Sequence, residues 1–162
     1  MTKHLILMRH AKSSWEHVGR DFDRPLNTRG QMAAPAIGDW LRTQGYLPDA
    51  ILSSSAKRTR ETCDGLGFDV PMRFERRLYL ADPDTMLAEL KAETANTVLL
   101  LGHNPGIAEL ADQLVATRPD HSRFYDYPTC ATTVIDFEIS DWAALKPGSG
   151  KIRDFIVPKD LK

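Results

Sequence analysis

Short apolar runs alternate along this chain with longer stretches in which apolar residues recur every three or four positions. The first run, Leu5-Ile6-Leu7-Met8, stops at Arg9-His10. A short run without polar alternation is what a strand covered on both faces requires. Residues 11–28 contain Gly19, Pro25 and several acidic side chains without a steady period, and read as a long loop. Thr28 then caps a predicted helix reaching about Gln44, with Ala33, Ala36, Ile37, Trp40 and Leu41 as its apolar stripe. Pro35 removes a backbone donor inside that span and should kink or restart the helix, while Gly45 is a natural stop.

The alternation continues. Ala50-Ile51-Leu52-Ser53 predicts a second buried strand, followed by a helix from Ala56 to about Leu66 with Arg58 in its opening turn. Residues 73–80 are weakly extended, and Asp82-Pro83 is a strong helix start for Met86, Leu87 and Leu90. Thr97 to Leu101 is the most convincing central strand and ends at Gly102-His103-Asn104-Pro105. A helix carrying Ile107, Leu110, Ala111, Leu114 and Val115 follows. Ile135, Phe137 and Ile139 alternate with Val134, Asp136 and Glu138, predicting a strand with one wetter face, and Ile152 to Val157 supplies an edge strand. Strand–helix alternation of this kind predicts an α/β fold: a three-layer α/β/α sandwich with a mostly parallel central sheet.

At 162 residues, with no internal repeat or linker, the chain reads as one domain spanning 1–162. Apolar residues at 42% and charged residues at 27% fit a globular protein. The net charge of -1 argues against a general nucleic-acid binder. The halves differ, however: residues 1–81 carry 13 basic and 9 acidic side chains, and 82–162 carry 8 and 13. A local basic site can therefore sit inside a neutral total. Cys63 and Cys130 make no disulfide framework or metal cluster and fit a reducing compartment, although one bridge stays open. The amino-terminal apolar run is too short for a signal peptide or a membrane span, so the expectation is a cytoplasmic protein without a membrane partner.

Ligands of such sheets sit at the carboxyl ends of strands. Here those ends deliver Arg9-His10, Ser53-Ser54 leading to Arg58, and His103. Singly, each has an ordinary structural explanation, as a loop-mouth histidine or an ion-paired arginine. Together they suit a phosphoryl group. Two guanidinium forks can hold its oxygens, and a neutral imidazole can attack phosphorus. A second, protonated imidazole can donate to a non-bridging oxygen, and the helix after Pro105 should point free backbone donors at the same anion. No metal-ligand spacing and no glycine-rich nucleotide loop is present, so neither metal nor cofactor is expected.

Leu7-Met8-Arg9-His10-Ala11-Lys12-Ser13-Ser14-Trp15 resembles the opening of the SixA-like phosphohistidine phosphatases of the histidine phosphatase (phosphoglycerate mutase-like) superfamily. Asp23 to Gly30, Ser53 to Thr62, Leu78-Tyr79, Gly102 to Pro105 and Pro128-Thr129 extend the likeness along nearly the whole chain. The resemblance implies a phosphoglycerate mutase-like fold without a large inserted cap. It makes His10 the phosphorylated histidine, Arg9 and Arg58 its phosphate-binding arginines, and His103 the second pocket histidine. Lys12 and Trp15, on the loop nearest to a cap, would meet substrate, though Trp15 equally suits plain cover over a helix. Broader family members use a glutamate as proton donor. Glu75 and Asp82 are the candidates, neither a clear match, and Glu75 more naturally pairs with Arg73, Arg76 or Arg77. Cys130 stands where relatives often have glycine.

The leading expectation is therefore a metal-independent phosphatase that hydrolyses phosphohistidine through phospho-His10, acting on a signalling or phosphotransfer protein, with phosphate as product and inhibitor. A general phosphomonoesterase and a non-catalytic phosphate-binding or protein-interaction module remain as alternatives.

Overall fold

A computed structural model describes residues 1–161. Six strands form one sheet: β1 (Lys3–Arg9), β2 (Ala50–Ser54), β3 (Met72–Glu75), β4 (Thr97–Gly102), β5 (Thr132–Phe137) and β6 (Lys151–Ile156). They lie in the order β3-β2-β4-β1-β5-β6. The first four of that order run parallel, and β5 is antiparallel to both β1 and β6. Four helices cover the sheet: α1 (Thr28–Gln44), α2 (Lys57–Leu66), α3 (Pro83–Lys91) and α4 (Gly106–Leu114).

The apolar run of β1 feeds two cores at once. Ile6 and Met8 pack with Ile37, Leu41, Cys63 and Leu66 beneath α1 and α2. Leu5 and Leu7 pack with Met86, Leu90, Ile107 and Leu110 beneath α3 and α4. Successive side chains on a strand point to opposite faces, so burial on both sides calls for an unbroken apolar run rather than alternation.

Local details differ from the sequence reading in four places. Asn27, not Thr28, caps α1: its side chain accepts from Gly30 N–H at 3.0 Å. Pro35 lies inside a continuous α1 because the carbonyl it leaves without a partner, that of exposed Gln31, faces water. The core-facing stripe of α1 is Ala34, Ile37, Gly38 and Leu41, while Ala36 is exposed. Finally, β5 is wetter on one face only toward its carboxyl end: Val134 is as well covered as Ile135, whereas Asp136 is half-buried and Glu138, just beyond the strand, is exposed. Asp136, the one charged side chain of β5, is held by His4 and Arg153.

Other features follow the pattern. Gly45 closes α1 in the left-handed region (φ 79°), and Asp82 caps α3 by accepting from Thr85 N–H. The weakly extended residues 73–80 divide into edge strand β3 and a 3₁₀ turn, Arg76–Leu78. Cys63 and Cys130 are both buried free thiols. Among the described residues, no helix is long and apolar enough to cross a membrane.

Candidate active site

The carboxyl ends of β1, β2 and β4 are neighbours in the sheet, and their loops bring Arg9, His10, Arg58 and His103 within electrostatic reach of one another. The His10 and His103 rings are 5.3 Å apart between centroids. Both histidines and Arg58 are buried, and Arg9 is half-buried.

The peptide around His10 is fixed on three sides. Its own N–H donates to Gly102 carbonyl at 3.1 Å, and its carbonyl accepts from Cys130 N–H at 2.9 Å. Ala11 N–H donates to Thr62 Oγ1 at 2.9 Å. The ring is oriented by the same segment, because His10 Nδ1 lies 2.7 Å from Ala11 carbonyl. A carbonyl can only accept, so Nδ1 carries the proton and Nε2 keeps its lone pair. Cys130 makes its contact from a left-handed backbone (φ 64°), a conformation costing a β-carbon residue about 1–2 kcal/mol, which is why glycine suits this position.

Arg58 projects from the first turn of α2, which is anchored to the end of β2 by Thr59 Oγ1 donating to Ser54 carbonyl at 2.8 Å. Ser54 Oγ lies 2.8 Å from His103 Nε2 while accepting from Ala56 N–H at 3.2 Å. Arg9 Nη1 donates to Tyr127 carbonyl at 3.2 Å, and Asn104 Nδ2 donates to the same oxygen at 2.9 Å. Three buried nitrogens of this group, Arg9 Nε, Arg58 Nε and His103 Nδ1, have no hydrogen-bond partner among the described residues. Buried guanidinium donors left without acceptors are rare, and their concentration around one imidazole suits a ligand that supplies acceptors.

Burial is the main cause of the shifted histidines. It holds His10 well below its usual range, helped by repulsion from His103, Arg9 and Arg58 and opposed by the Ala11 hydrogen bond. His103 is pushed down to about 3 by burial and by Arg58. Without a phosphoryl group the pocket thus holds two neutral rings. A bound phosphoryl dianion would raise both values by supplying a counter-charge, and so favour the protonated second imidazole that the sequence suggests.

Other expectations are redrawn here. The amino end of α4 does not lie open: Ile107 N–H donates to His103 carbonyl at 2.9 Å, and a Cβ on Gly106 would lie 2.0 Å from Ala81 carbonyl oxygen. Neither proposed proton donor has a place in the pocket. Glu75 bonds Arg73 at 3.2 Å, and Asp82 is an exposed cap. The acid that does reach the site is Asp21, on the loop between β1 and α1. Its carboxylate meets Arg58 at 3.0 Å and Arg24 at 3.1 Å, and accepts from the Tyr79 hydroxyl. The Tyr79 hydrogen bond and the arginines hold it down at about 2, so it is an ionised acceptor rather than a proton donor. Tyr79 also presents its ring edge-on to His103, with centroids 5.5 Å apart.

Trp15 is exposed and covers no helix; the Arg24 guanidinium lies 4.1 Å from its ring centroid. The loop carrying both is pinned by Leu26 N–H donating to Glu61 and by contact of Arg24 with Ser13. Gly30 lets α1 approach this loop, for a Cβ there would lie 2.1 Å from Lys12 carbonyl oxygen. Lys12 itself lines an adjoining cleft of about 740 Å³. Among the described residues, no group of three or more His, Cys, Asp or Glu is placed to hold a metal ion.

Residues 5–79 match the family model of the histidine phosphatase superfamily, branch 1. An uncharacterised protein of Mycobacterium tuberculosis is 36% identical, the match covering 94% of this chain and all of that one. Among solved structures, a candidate SixA phosphohistidine phosphatase from Nakamurella multipartitia superposes with a TM-score of 0.83 at 32% identity, covering 98% of this chain and 97% of that one. The protein histidine phosphatase SixA complexed with tungstate shares the fold, with a TM-score of 0.80 at 22% identity over 98% and 99% of the two chains.

Proposed function

This chain belongs to the histidine phosphatase superfamily, in its SixA-like group, and from that premise we propose that it hydrolyses phosphohistidine on a protein through a phospho-His10 intermediate. The observation that carries this reading is the set of unpartnered buried nitrogens on Arg9, Arg58 and His103 around a histidine whose tautomer is already fixed.

In the first step His10 Nε2 attacks phosphorus in line as the phosphorus–nitrogen bond to the substrate ring breaks. The Ala11 carbonyl keeps the Nδ1 proton in place throughout. Arg9, Arg58 and His103 stabilise the equatorial oxygens, and deleting one such donor typically costs about 10²–10³ in rate. In the second step water attacks the phosphorus of phospho-His10. The nitrogen–phosphorus bond breaks, inorganic phosphate forms, and His10 is restored.

Substrate choice follows from the missing acid. A positioned general acid contributes about 10²–10⁴ when an alkoxide must leave. An imidazole leaves as a neutral ring once its other nitrogen carries a proton, so it needs no such help. With Glu75 and Asp82 turned elsewhere and Asp21 ionised, the pocket suits phosphoramidates better than alkyl phosphates. Comparing kcat/KM on a histidine-phosphorylated protein with a panel of sugar phosphates tests this. The proposal expects the phosphohistidine substrate to lead by about 10²–10⁴, the contribution of the absent acid. Equal or better turnover of a sugar phosphate would overturn it.

A further inference from the structure

The basic excess in the first half of the chain gathers partly in the cleft beside Arg9. The amino-terminal half of α1, the 123–129 loop and the 157–161 segment form its walls. Lys12, Arg29 and Lys159 line it, and none of them has an ion-pair partner among the described residues. Among the described residues its one carboxylate, Asp126, is already bound to Arg123 at 3.0 Å. The floor is apolar. Met32 is 71% exposed, and with Ala33 and Ala36 it makes a second apolar face of α1, outside the core-facing stripe.

We propose that this cleft docks an acidic, amphipathic segment of the phosphoprotein substrate, a proposal that rests on the phosphohistidine reading above. Cations around an apolar floor complement carboxylates interleaved with leucine-like side chains. Other polyanions fit less well. No aromatic side chain lines the cleft, so it offers nothing on which a nucleobase could stack. It contains no amide side chain to bind sugar hydroxyls, and its only hydroxyl is that of Thr129. Arg9 both lines the cleft and stands beside His10, so a segment seated there delivers its phosphohistidine directly to the pocket.

The test uses two synthetic peptides, each with one phosphohistidine, flanked either by Glu/Leu repeats or by matching Gln/Leu repeats, and phosphoimidazole as the small substrate. The wild-type protein should favour the Glu/Leu peptide by about tenfold in kcat/KM at low salt, through KM. The double variant R29E/K159E should erase that preference and hydrolyse phosphoimidazole at the wild-type rate. An undiminished preference in the double variant, or none in the wild type, overturns the docking site. Failure to hydrolyse any of the three would instead overturn the phosphohistidine reading. Fluorescence anisotropy with the unphosphorylated Glu/Leu peptide then still reads the cleft, with binding expected to weaken about tenfold in R29E/K159E. Equal affinity for a single-stranded oligonucleotide would contradict the proposal by showing general attraction to polyanions.

Discussion

Burial strips the two pocket histidines of their protons. His103 falls to about 3 from 6.5, and His10 is lowered well below the same value. Between these limits the unfolded chain binds more protons than the folded one, so the native state gains stability as pH rises from about 3 to 6.5 and loses it as pH falls. Imidazole signals followed by NMR should show both rings still neutral as the pH falls through about 6.5, where a free imidazole takes up its proton. Titration of either ring near 6.5 in the folded protein would contradict the burial argument. These residues were legible in the sequence because each sits where an apolar strand stops abruptly. Their charge state was not, since desolvation depends on neighbours such as Arg58 that arrive from another element. Asp21 was invisible for a similar reason. Nothing local marks it out from Asp23 two positions on, and only the fold brings it against Arg58 and Tyr79.

Among the elements, the loop from Lys12 to Asn27 does what no helix or strand does here: it lays a carboxylate on Arg58, the arginine proposed to bind the phosphoryl group. Asp21 engages Arg58 through both its side chain and its backbone carbonyl, the latter accepting at 2.8 Å. On the proposed function, an incoming phosphoryl group meets a resident anion. Substituting Asp21→Asn keeps the backbone contact and removes the competing charge, so inorganic phosphate should inhibit about three- to tenfold more tightly, equivalent to roughly 0.7–1.4 kcal/mol. Unchanged or weaker inhibition would show that the carboxylate holds Arg58 in position rather than competing for it. The strands and helices around this loop were readable from periodicity, and their errors were local. Asn27 and Thr28 are both good caps, so only the bond to Gly30 separates them. Pro35 was misjudged because a proline on an exposed helix face leaves its unmatched carbonyl to water.

For the whole molecule, topology turns distant sequence into one pocket. Placing β4 between β2 and β1 gathers three loops that lie up to 94 positions apart in the chain. Strand order is not encoded in any local pattern, whereas alternation of strands and helices is, so the α/β class could be read and the site's proximity had to be seen. Net charge hides polarity in the same way, since a total of -1 coexists with a cleft lined by Lys12, Arg29 and Lys159. The claim on which the rest depends is that His10 itself takes the phosphoryl group. Turnover of a ³²P-labelled phosphohistidine protein, stopped rapidly in alkaline denaturant and mapped by mass spectrometry, reads that step directly. The account predicts label on His10, none in the His10→Ala variant, and loss of activity in that variant with its thermal unfolding still cooperative. Turnover that leaves His10 unlabelled, or persists undiminished in His10→Ala, would contradict it.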